Sequence, residues 1–144
     1  MSTSTSILQA IETALQGVSG LSAERVLRGF PGDGPSPPVA WLAADQLTSE
    51  PGPDLSGTSR VLSVSVWASP ATDGSTHGAR EDACFTLMDL MISAIESSST
   101  LLNLLIAAPI CGARADVAGA GGPGTPLIVV VVECRYQETY GDGV

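Results

Sequence analysis

The segment Leu127-Ile-Val-Val-Val-Val132 constrains the fold more than any other part of this chain. After Leu127 every residue is β-branched, a composition that fits a pleated surface and crowds a helix. The run is far shorter than the ~20 residues that cross a bilayer as a helix. Continuous apolar strands belong where both faces of a sheet are covered, so a strand over Leu127–Tyr136 is expected in the middle of a sheet. Before it, Ala118–Pro126 is a Gly/Pro loop and Ile110–Val117 a further strand candidate, which makes the last third a hairpin.

Upstream, apolar periodicity separates helices from strands. Ile7, Ile11, Ala14, Leu15 and Val18 recur at helical spacing, with a capping-box pattern at Ser6 and Gln9 and stop signals at Gly17 and Gly20. A short strand candidate at Arg25–Arg28 leads into Gly29–Pro38, whose prolines and glycines predict a loop. Val39–Leu47 and Arg60–Ala68 read as strands. In the second, Leu62, Val64 and Val66 alternate with Ser63, Ser65 and Trp67, the period of a sheet with one face on a core. The connection Thr48–Ser59 is long for a hairpin but contains no helical pattern, so the pair is antiparallel.

A long helix is predicted from about His77 to Ser97. Ala83, Cys84, Leu87, Met88, Met91, Ala94 and Ile95 form its apolar stripe, and Asp73, Ser75 or Thr76 can cap it. Leu101–Ala108 is expected as a short second helix ended by Pro109. The fold class that follows is α+β: an antiparallel or mixed sheet of about four to five strands packed on a long helix, with an N-terminal helix and a short extra helix. Residues 1–144 are expected to form one domain, since the 144-residue length is typical of one.

Composition removes several function classes. All positive residues are Arg (25, 28, 60, 80, 114 and 135), and the formal net charge is -9. Without Lys there is no P-loop lysine, Schiff-base lysine or lysine general base. The acidic balance disfavours nucleic-acid binding through the backbone, yet suits a surface past which DNA must slide. Cys84, Cys111 and Cys134 have no CxxC spacing and lie in apolar stretches, as buried free thiols do; a reducing cytoplasm is the expected place of synthesis. Met1–Ser6 has no positive n-region, so no signal peptide is expected.

The chemical motifs are weak. Gly119-Ala-Gly121-Gly-Pro-Gly124 matches G-x-G-x-x-G in letters, but Pro123, Pro126 and a strand follow it where a dinucleotide site needs a helix. His77 is the only histidine; no G-x-S-x-G elbow accompanies it, and one His does not make the usual zinc site. Asp73, Glu81 and Asp82 form an acidic patch of a solvated helix face, because adjacent helical residues do not face each other. No catalytic, cofactor or metal residues are expected. The aromatic residues say more. Trp67 is out of phase with Leu62, Val64 and Val66, so it needs a second cover, either other helices or a neighbouring subunit. As candidate subunit contacts the chain offers Arg60, Trp67, Arg135, Tyr136 and Tyr140, with core packing and in-chain ion pairs as the alternative roles.

The N-terminal helix, the turn and strand Pro38-Val-Ala-Trp-Leu-Ala, the strand Arg60-Val-Leu-Ser-Val-Ser-Val-Trp, the helix Ala79–Glu96 and the closing strand Ile128-Val-Val-Val-Val-Glu-Cys-Arg-Tyr-Gln-Glu together resemble the tail-terminator and tail-completion proteins of long-tailed bacteriophages. The resemblance implies a non-enzymatic virion protein, located at the head-proximal end of the tail after assembly in the host cytoplasm. Its partners would be further copies of itself in a hexameric ring, the tail tube protein, and the neck or connector proteins. DNA would pass through the ring without specific binding, and no membrane is involved. Loops at Gly29–Pro38, Thr48–Ser59 and Ala118–Pro126 would contact adjoining rings. Another head–tail neck protein is the nearest alternative. A small cytoplasmic α+β enzyme or ligand-binding domain using His77 is an alternative of a different class.

Overall fold

The computed structural model describes residues 2–29, 36–51, 57–71, 76–117 and 126–139. Helix α1 (Thr3–Gln16) begins a turn earlier than the capping-box pattern predicts. Ser2 is its cap, and its Oγ accepts from the Thr5 N–H at 3.2 Å. The Ser/Thr-rich start offers several equivalent caps, and the earliest one gains an extra helical turn. Ile7, Ala10, Ile11 and Leu15 form its buried stripe.

A single 3₁₀ turn, Ala23–Arg25, delivers the chain to strand β1 (Val26–Arg28). Gly29, at φ 78, ends it in a conformation that an L side chain rarely adopts, and its N–H donates to the Leu42 carbonyl at 2.9 Å. The Arg25 guanidinium then donates to the carbonyls of Ser36 and Pro38, tying down the approach to strand β2 (Val39–Pro51). Strand β3 (Gly57–Ser69) follows. These two strands are longer than the sequence pattern predicts, because their ladder continues out to Pro51 opposite Thr58. Thr48, Ser49, Thr58 and Ser59 are competent strand residues once a partner is opposite them, so the expected loop over Thr48–Ser59 is mostly ladder.

Helix α2 (His77–Glu96) matches its predicted span, and the Thr76 hydroxyl accepts from the Ala79 N–H at 3.1 Å. Helix α3 covers only Ser99–Leu102. The expected continuation to Ala108 does not form: Leu104 and Leu105 close tight turns, and the Ile106 N–H donates to the Arg135 carbonyl. Sheet bonding has captured that backbone. Strands β4 (Ile110–Asp116) and β5 (Leu127–Thr139) complete the predicted hairpin.

The sheet is mixed, five-stranded and ordered β1-β2-β3-β5-β4. Only β1 with β2 is parallel; the other neighbours are antiparallel. The short N-terminal strand therefore belongs to the sheet, at one edge. Helix α1 packs over β1 and β2, α2 lies over β5 and β4, and the two helices touch. Between helices and sheet, Leu42, Leu62, Val64, Val66, Ile128, Val130, Val132 and Cys134 meet Ile7, Ile11, Leu15, Met91 and Ile95. Each such side chain contributes roughly 1.5–3 kcal/mol by leaving water. All three described helices are on this one side.

Candidate interaction surface

The opposite side of the sheet is built by the other half of each strand's alternation. Register places Trp41 opposite Trp67, and the two indoles stack with centroids 6.3 Å apart and planes 12° from parallel. Trp67 in turn lies opposite Val129, Ser65 opposite Val131, Ser63 opposite Glu133 and Val61 opposite Arg135. Across β4, Ile110, Gly112 and Arg114 continue the same surface beside Glu133, Val131 and Val129. No described helix covers it. Val131 remains 37% exposed and Ile110 66% exposed.

This corrects the expected two-sided burial of the Leu127–Val132 run. Ile128, Val130 and Val132 are fully buried under the helices, whereas Val129 is half-buried and Val131 exposed. β5 does occupy an interior position in the sheet, so the run marks position correctly. What it does not find among the described residues is a second layer.

Polar groups give the open face a pattern. The Ser65 hydroxyl donates to the Asp45 carboxylate from within the strand. The Arg135 guanidinium donates to the Ser59 hydroxyl at 3.3 Å, while Glu133 and Arg114 stand exposed nearby. Arg60, on the helix side of β3, forms an in-chain ion pair with Glu138 at 3.1 Å. Tyr136 is 1% exposed and belongs to the chain's own core, opposite Arg60. Tyr140 lies outside the described residues. Thus Trp67 and Arg135 are the expected contact residues that share the open face. Sequence reading missed Trp41, Val61, Val129 and Val131 as members of it. Strand alternation was visible, but which strands adjoin was not.

The groups weighed for chemistry are dispersed. His77 is the first residue of α2, and its imidazole Nε2 is 3.6 Å from the Glu81 carboxylate. With Arg114 and Asp116 it borders a depression of about 610 Å³ beside the end of β4. Among the described residues no hydroxyl or thiol hydrogen-bonds to His77, and no group of three His, Cys, Asp or Glu could hold a metal ion. Burial raises all three thiols: Cys134 is pushed up to about 12 and Cys111 to about 11, with Cys84 raised less far. Such thiols are poor nucleophiles at neutral pH. Among the described residues no helix is long and apolar enough to cross a membrane.

No protein-family model and no curated protein matches the sequence. Among solved structures, the chain is similar to a component of the virion of a native gene transfer agent particle. That likeness has a TM-score of 0.50 and 14% identity, and covers 92% of each chain. The two share a fold over nearly their full lengths.

Proposed function

We propose that this protein is a virion structural component of the tail-terminator type. In this reading six copies form a ring on the head-proximal end of the tail tube, stop its polymerisation and offer the neck its docking surface. The observation that carries the proposal is the sheet face that no described helix covers, where Val131 and Ile110 stand exposed beside the half-buried Trp41–Trp67 stack and Val129. A face this apolar calls for a macromolecular partner, since extended apolar surface is stabilised by leaving water and aromatic residues favour subunit contacts. The element order of the sequence and the fold shared with a gene transfer agent virion chain support the same reading. A net charge of -9 suits the wall of a channel that lets DNA pass without holding it.

The test is the native mass by light scattering on a sizing column, with negative-stain images of the main peak, followed by addition to polymerising tail tubes. Hexameric rings that bind tube ends and limit tube length are expected. Rings that bind isolated connectors and ignore tube ends would move the protein to another neck position. A monomer without effect on tubes would overturn the reading.

A further inference from the structure

The sheet has two backbone edges. On one side β1 pairs only with Ala40–Leu42, and beyond them β2 continues to Pro51 with β3 as its one described partner. Residues 44–50 of this projecting half are all exposed. A bulge between Ala44 and Gln46 separates it from the part that β1 covers. Bulges end one pairing and increase local twist, so the projecting half is set apart as an edge of its own. On the other side β4 pairs with β5 alone among the described strands, and Gly112, Ala113 and Arg114 are exposed. Unpaired strand edges present N–H and C=O groups that another chain can pair with.

These two edges fit each other. Each is about three repeats of the pleat in length: residues 46–51 on β2 against Ile110–Asp116 on β4. Their directions fit as well. The three antiparallel steps from β2 through β3 and β5 to β4 leave β2 and β4 running in opposite senses. If similarly oriented copies follow one another round an axis, β4 of one copy meets β2 of the next antiparallel, the more stable ladder. Faces agree when Ala115 lies opposite Leu47 and Ala113 opposite Ser49. Leu47 and Ser49 share the helix side with Leu62 and Arg60, as Ala113 and Ala115 do with Val130 and Ile128. Two small alanines would then lie against Leu47, which is 48% exposed in the single chain. In the same register Arg114 lies opposite Thr48 and diagonal to Glu50, within reach of a long side chain. The projecting half of β2 carries Asp45 and Glu50 and no cation; Arg114 is the only cation of β4 and has no ion pair among the described residues.

We propose that copies of this chain join edge to edge, with β4 of one copy adding to residues 46–51 of β2 in the next. The joint is head-to-tail, so repeated joints whose rotation closes form a ring in which both of these edges are paired in every copy. It rests on the ring reading above and supplies that ring's contact.

Amide hydrogen exchange on the full chain, compared between its dilute monomer and its assembled form, tests the joint directly. Amides of residues 46–50 and 110–116 should slow by about tenfold or more on assembly, the factor being set by the associated fraction, while those of α1 stay unchanged. Arg114→Glu or Glu50→Arg should each raise the dissociation constant about tenfold with an unchanged melting temperature, and the double reversal should restore it. Rings whose two edges exchange as fast as in the monomer would overturn the joint and leave the ring reading standing. Protection confined to the Trp41–Trp67 face would do the same. A chain that stays monomeric alone also overturns it, and tube capping then decides the ring reading separately.

Discussion

At the scale of single residues, the two sides of β5 behave as different materials. Val132 is fully buried under the helices and Val131 points away from them. A lysine at Val132 would place a charge in the core without a partner, so Val132→Lys is expected to abolish cooperative unfolding in urea. Val131→Lys, one residue away, should change stability by no more than about 0.5 kcal/mol in the same titration and weaken self-association. The thiols set a pH dependence. Unfolded thiols ionise near 9, whereas Cys111 and Cys134 keep their protons until about 11 and 12 in the fold. Between those values the unfolded chain binds fewer protons than the native one, so stability falls as pH rises. Denaturation midpoints should therefore drop above pH 9, and the paired change of both cysteines to Ala should flatten that limb. Sequence placed these cysteines in apolar surroundings, and burial is what raises them. His77 is exposed at the first position of α2, where it pairs with Glu81 one turn on.

At the scale of elements, local signals were legible where the chain decides by itself. The span of α2 and its Thr76 cap follow from helical periodicity and a side-chain acceptor in the right place. Thr76→Ala should cost about 1 kcal/mol, measured as a shift of the urea midpoint at constant slope. Elements whose bounds depend on a distant partner were harder to read. Nothing local in Thr48–Pro51 distinguishes loop from strand; Thr58–Val61 on β3 supplies the ladder that extends it. Similarly, Leu101–Ala108 has the composition of a helix, but hydrogen bonding of Ile106 to the Arg135 backbone ends the helix after Leu102. The N-terminal start moved because several Ser/Thr residues compete for one role. In each case a tertiary partner or a competing cap outweighed a small local preference.

At the scale of the whole molecule, the described helices lie on one face and leave the other with a tryptophan stack and the exposed Val131. Trp67→Ala should preserve the far-UV circular dichroism spectrum and lower the native mass on a sizing column, because its indole lies on the open face. His77→Ala should leave that mass unchanged. The sequence by itself determined the strand and helix identities, the α+β class and the opposite phases of Trp67 and its aliphatic neighbours, because 2-residue and 3.6-residue periods are written into consecutive side chains. Only the tertiary structure decided that β1 joins the sheet in parallel, that Tyr136 is core, and that Trp41 meets Trp67. It also decided that Val129 and Val131 lie on the face that no described helix covers. Those outcomes depend on which strands become neighbours and on how many layers 144 residues can supply. Pairing and layering are relations between distant segments, and no local period encodes them.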